Sequence, residues 1–202
     1  MRYVTNILML LLIGCGIAWT SQASDPTDTQ NASKAFVNKA SMSSLFEIKA
    51  AEIALTRSKT PQVRQVAEKL IQDHKESSEK LRTLLLRENL KLDPSMDLDS
   101  EHFEKLKKLN DLDASDFDAG YLSIQEKAHQ QTIETFESFL REENASPALK
   151  RFASETLPTL KAHYQKIDQT QKKPGKASFL QRNRSTHVQL AKTSVTSDVK
   201  AV

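Results

Sequence analysis

The stretch TPQVRQVAEKLIQDHKESSEKLRTLLLRENL, residues 60–90, decides the fold. Val63, Val66, Ala67, Leu70, His74, Ser77, Leu81, Leu84 and Leu85 recur at the three-and-four spacing of one helical face. Thr60 stands where a side-chain oxygen can accept from free N–H groups, and Pro61 where no N–H is needed. The spacing therefore predicts an amphipathic helix opening at Thr60-Pro61 and ending near Leu90. An imidazole, His74, interrupts its apolar stripe at mid-length.

Working outward, the same period recurs three times. A helix over about 34–58 carries Phe36, Val37, Ala40, Ser44, Glu47, Ile48, Ala51, Ala54 and Leu55 on one face. A third helix opens near Ser115-Asp116, with Leu122, Glu126, His129, Ile133, Phe136 and Leu140 as its stripe. The fourth opens at Ser146-Pro147, repeating the cap-plus-proline device, and carries Leu149, Phe152, Ala153, Thr156, Leu160, His163 and Ile167. Pro158 inside it removes one N–H and crowds the Ser154 carbonyl, which predicts a kink. None of these helices can bury its stripe alone, so the expected fold is all-α, a four-helix bundle over 34–171. Tight loops make the first and last pairs antiparallel. The connector 91–113 contains Pro94, has room for a short helix over Glu101–Asn110, and allows a crossover between the pairs.

Composition agrees with this class. Only four glycines occur in 202 residues, too few for a turn-rich β protein. The formal charge of +3 is a sum of +1 in the leader, −4 in the body 24–171 and +6 in the tail 172–202. An acidic body offers no electrostatic footprint for nucleic acid. The leader itself has Arg2 before an apolar run from Ile7 to Trp19 and then Ser21-Gln22-Ala23, the pattern of a secretory signal over 1–23. Leu12-Ile13-Gly14-Cys15 also matches a lipobox, in which Cys15 would be lipidated. Both readings export the chain, to the periplasm or beyond, or to a membrane anchor. Residues 24–33 read as a polar linker. The tail lacks a sustained period and reads as disordered and basic, suited to an anionic surface or an envelope partner.

Chemistry concentrates in the helical stripes. Of five histidines, His74, His129 and His163 fall one each on the second, third and fourth helices, and Glu47 falls on the first. Glu47 lies 13 residues before Thr60 and His74 lies 14 after it, roughly 20 Å along each helix. His129 lies 16 residues before Ala145 and His163 lies 18 after it, roughly 25 Å along. All four are thus expected at one mid-bundle layer. A buried carboxylate and three imidazoles need partners, and one divalent cation would serve all four: zinc, iron, manganese or copper. Glu126 shares the His129 face as a fifth ligand or supporting group. Asp73, Tyr121 and Tyr164 are further candidates for supporting hydrogen bonds. The alternative is a metal-free polar layer, with Glu47 paired to a protonated histidine and responsive to pH.

The segments F36-V-N-K-A, L45-F-E47, P61 to H74, H129 with F136, and F152-A-S-E-T-L-P-T-L-K-A-H163 resemble an exported bacterial family of ferritin-like domains of unknown function. The resemblance spans about 34–168. It implies the ferritin-like bundle and export, and a glutamate on the first helix with a histidine on each of the others, matching Glu47, His74, His129 and His163. It implies no activity. Di-iron members of the ferritin-like class need Glu-x-x-His on two helices. Only Glu126-Lys-Ala-His129 fits; Ile71 and Leu160 stand where the other carboxylates would be. A full di-iron site is therefore not expected. No nucleophile triad, phosphate loop or cysteine site accompanies the layer, so no catalytic residue is assigned. Three functions remain open: a metal-binding envelope protein for storage, delivery or stress protection; a non-enzymatic structural or interaction module; and a hydrolytic or redox enzyme using the bound metal, which would need an open coordination position and has no second catalytic cluster beside it.

Overall fold

The computed structural model describes residues 26–172. The leader 1–23 with Cys15, and the tail beyond Lys172, lie outside the described residues. Five helices follow in order: α1 Pro26–Arg57, α2 Pro61–Arg87, α3 Ser100–Asn110, α4 Phe117–Arg141 and α5 Pro147–Lys172. Among the described residues there is no strand, so the protein is all-α. None of these helices is long and apolar enough to cross a membrane.

Four long helices close a ring of packed pairs, α1 with α2, α2 with α5, α5 with α4, and α4 with α1. Two apolar clusters fill the interior. One gathers Phe36, Val37, Leu81, Leu85, Phe136, Phe139, Leu149 and Phe152. The other gathers Ala51, Ala54, Val63, Val66, Leu70, Phe117, Leu122 and Ile167. Following each helix from one cluster to the other gives its direction: α2 and α4 run one way, α1 and α5 the other. Every neighbouring pair is therefore antiparallel, and the connector between α2 and α4 travels the length of the bundle. Within the first cluster the rings of Phe36 and Phe139 stack at 3.9 Å and Phe136 meets Phe36 edge-on at 5.0 Å.

The connector is held at both ends. Asn89 adopts a left-handed φ of 49°, and the Leu90 N–H returns to the Leu85 carbonyl, which ends α2 three residues before the expected limit. Asp99 caps α3 by accepting from the His102 N–H at 2.9 Å. At the other end of α3, the Arg57 guanidinium donates to the carbonyls of Leu109, Asn110 and Leu112 while lying 4.5 Å over the Phe117 ring. That clamp seats Leu109 in the core against α1 and α4.

Two expectations need correction. Residues 26–33 belong to α1 and are not a linker: Pro26 opens the helix, no glycine breaks the run, and by Ser33 the chain is buried against Ser146. Thr60 does not cap α2 through its side chain; its hydroxyl donates instead to Asp118 on α4. As expected, Pro158 stands inside the last long helix, and it faces solvent along with Ser154, so the carbonyl deprived of a partner is open to water.

Candidate metal centre

Between the two apolar clusters lies one polar layer. α1 contributes Glu47, α2 His74, α4 Gln125, His129 and Thr132, and α5 His163, all buried. Glu47 and His129 have 0% exposure, His74 5% and His163 6%. The three imidazole centroids lie 5.4 to 5.6 Å apart. One ring nitrogen from each lies within 4.8 Å of the others. Glu47 Oε2 is 2.8 Å from His74 Nε2 and 3.3 Å from His129 Nε2.

These close approaches are not hydrogen bonds. Glu47 Oε2, His74 Nε2, His129 Nε2 and His163 Nδ1 are all buried without a hydrogen-bonded partner. The 2.8 Å contact of His74 with Glu47 is near enough for a bond, but the ring N–H does not align with the oxygen. Groups aimed at a common point, rather than at each other, produce this combination of short distance and poor alignment. A tetrahedral zinc site with bonds of about 2.0 Å has ligand–ligand edges of about 3.3 Å. The Glu47–His129 separation already has that length, and the imidazole nitrogens, within 4.8 Å of one another, are spaced more widely.

The remaining atoms of these residues are tied down. His129 Nδ1 donates to the Gln125 carbonyl at 2.9 Å. His163 Nε2 meets Asp73 Oδ2 at 2.7 Å, and Asp73 Oδ1 accepts from Lys69 at 2.8 Å. Glu47 Oε1 accepts from Ser43 at 2.9 Å and lies 3.2 Å from Thr132 Oγ1. Gln125 Nε2 donates to the Glu47 backbone carbonyl at 3.1 Å, joining α4 to α1. Such outer partners fix ring orientation and leave the inward nitrogens free, as second partners do around bound metals.

Electrostatics follow from burial and the facing charges. Burial alone raises the Glu47 pKa, but His129, His74 and the Ser43 hydroxyl reverse this and hold it at about 2. Burial lowers His74, yet the adjacent Glu47 carboxylate more than compensates and its pKa is raised. His129 is lowered, chiefly by burial, with Glu47 opposing. Burial also dominates at His163 and, with His74 and His129 nearby, brings it to about 4 despite Asp73. At Asp73 burial is outweighed by Lys69 and His163, which lower its pKa. Burial, with Glu47 near, keeps the Tyr121 phenol protonated well above its ordinary range. One anion and two neutral imidazoles form a donor set suited to a divalent ion.

Two sequence candidates do not reach the layer. Glu126 is half-buried and accepts from Gln171 at 3.0 Å, so it is not a fifth ligand. Tyr164 is half-buried and makes no hydrogen bond to the layer among the described residues. Gln125, Thr132 and Ser43 were not picked out from the sequence. Their signal was positional: Gln125 and Thr132 lie four before and three after His129, and Ser43 lies four before Glu47.

A family model described as Domain of unknown function (DUF4142) matches residues 18–170. The chain belongs to the DUF4142 family. No curated protein matches this DUF4142 chain. Among solved structures, a crystal structure of a DUF305 fragment from Deinococcus radiodurans resembles it with a TM-score of 0.60 and 17% identity, over 70% of this chain and 96% of that one. At that identity the likeness concerns the helical fold alone. The DUF4142 description assigns no activity, so the reading of the site rests on its own residues.

Proposed function

We propose that this chain is an exported, ferritin-like helical bundle that binds one divalent metal ion through Glu47, His74, His129 and His163. The carrying observation is that Glu47 Oε2, His74 Nε2, His129 Nε2 and His163 Nδ1, one from each long helix, are buried without hydrogen-bonded partners, with one nitrogen of each imidazole within 4.8 Å of the others and Glu47 against two of them. Ferritin-like connectivity is supported by the parallel course of α2 and α4 and the long connector between them. A single ion is favoured over a di-iron pair, because Ile71 and Leu160 replace two carboxylates and Glu126 turns to Gln171. Zinc, iron, manganese and copper all suit the imidazole and carboxylate donors. The secretory pattern of the leader supports work in the cell envelope, as storage, delivery or protection against metal stress. Elemental analysis of untagged protein, after reconstitution and desalting, tests the reading. About one metal per chain is expected; less than a tenth removes it.

A second reading is favoured by the Glu47–His74 contact of 2.8 Å and the raised His74 pKa. In it the layer holds no metal, Glu47 pairs with protonated His74, and the bundle serves as an envelope interaction module. The same elemental analysis separates the two.

A further inference from the structure

Glu47 and His129 have no exposure, and of the four ligand side chains it is His163 that lines a wide groove open to solvent. Asp73 and His163 both line a groove of about 960 Å³ between α2 and α5. The α2–α5 interface is also the most sparsely packed of the four around the ring. A second cavity of about 170 Å³, between α1 and α4, reaches Ser43 and Thr132 but touches none of the four ligand side chains.

We propose that a divalent cation enters and leaves the centre through the α2–α5 groove, with Asp73 as the carboxylate that captures it first. This rests on the metal reading above. Asp73 is the immediate neighbour of His74 along α2, so one turn of backbone carries a carboxylate at the mouth and an imidazole inside. Its Oδ2 contacts His163 Nε2 at 2.7 Å, and its Oδ1 holds the Lys69 ammonium at 2.8 Å. Lys69 is 61% exposed, and an ion pair of that exposure is weak and readily exchanged. An arriving aquo cation displaces the ammonium, remains paired with an anion while it sheds water, and passes His163 into the layer. Asp73 is thus a positioning residue for His163 in the resting protein and a transient anchor during loading.

Stopped-flow loading with cobalt(II), and its removal by a competing chelator, reads association and dissociation separately from affinity. Thr159→Trp places a bulky ring in the groove one turn from His163 on an exposed position. It is expected to slow both rates about tenfold and leave Kd unchanged, because blocking a path does not alter its end states. Lys69→Met is expected to speed association, an effect that a purely structural role of Asp73 would not produce. Asp73→Asn is expected to slow it. Gln131→Trp, which obstructs the α1–α4 cavity, is expected to leave both rates as they are. Slowing by Gln131→Trp but not by Thr159→Trp overturns the route, as do unaltered rates in all variants. Wild-type protein that binds no cobalt overturns both the route and the reading beneath it.

Discussion

His129 Nε2 faces Glu47 Oε2 across 3.3 Å, and no hydrogen bond joins them. The Gln125 carbonyl can only accept, so His129 Nδ1 must carry the ring's proton. Burial holds the ring neutral, which leaves a lone pair on Nε2 directed at a carboxylate. Two acceptors in contact inside a protein are stable together only when a cation or a further donor lies between them.

Replacing His129 by Phe should therefore separate metal binding from folding. The substitution swaps one buried ring for another of similar shape and removes the unpaired nitrogen. Stability without metal should change by less than about 1.5 kcal/mol. The wild-type protein should gain about 2.7 kcal/mol at a free metal concentration of a hundred times Kd, and the variant should lose most of that gain. Thermal melts with metal and with chelator, run on both proteins, check this. An equal metal-dependent rise in the two would exclude His129 as a ligand.

Removal of His74 should behave differently. Its ring is the nearest cationic partner of the fully buried Glu47 carboxylate. His74→Leu should cost about 3–5 kcal/mol in the metal-free protein, because the carboxylate is then left without compensation. The double variant Glu47→Leu with His74→Leu should recover most of that loss. Urea unfolding of the four proteins gives the coupling between the two sites, and additive losses would mean that the pair does not interact.

The pH dependence of the metal-free protein follows from opposed shifts. His163, held at about 4, and His129, also lowered, resist protonation in the folded state. Below their ordinary pKa of about 6.5 the unfolded chain takes up protons that the folded chain refuses, so stability falls as pH drops from 6.5 toward 4. His74 acts oppositely: its contribution is full below 6.5 and is lost as pH rises through its raised value. The Glu47 contribution is present above about 4.5 and disappears only as pH falls through about 2. The melting temperature should accordingly climb between pH 4 and 6.5. His163→Leu should flatten that limb by on the order of 2 kcal/mol. A wild-type profile with no slope there would contradict the burial of two neutral imidazoles.

Much of this arrangement was legible in the sequence because loop positions act as rulers. Counting from Thr60 and from Ala145 assigns Glu47, His74, His129 and His163 one height, and the imidazole centroids do lie within 5.6 Å of one another. The stripes of α2 and α5 were readable for the same reason, since Leu and Phe mark their faces. α4 was harder. Its buried line runs through Tyr121, Gln125, Ala128 and Thr132, and polar residues there carry no hydropathy signal. The stripe was thus centred one residue too far on, which brought Glu126 inward when Gln125 occupies that place. Thr60 and the 26–33 segment were misread for another reason. Local capping and polarity suggested a side-chain cap and a linker, and tertiary partners, Asp118 and Ser146, supplied the bonds instead.

Arg57 was equally invisible, since a basic residue in a last helical turn is ordinary. Its guanidinium satisfies three carbonyls at the end of α3 and covers the Phe117 ring, so one side chain closes the α3 terminus and fastens the connector to α1. Lysine cannot reproduce this, because a single ammonium lacks the planar fork that reaches several carbonyls while lying flat on a ring. Arg57→Ala and Arg57→Lys should both lower stability, by about 1–3 kcal/mol. Amide hydrogen exchange should quicken across Ser100–Asn110 well before it changes in α2 or α5, since α3 packs on α1 and α4. Uniform quickening through all five helices would instead mean that the clamp supports the whole bundle and not the crossover alone.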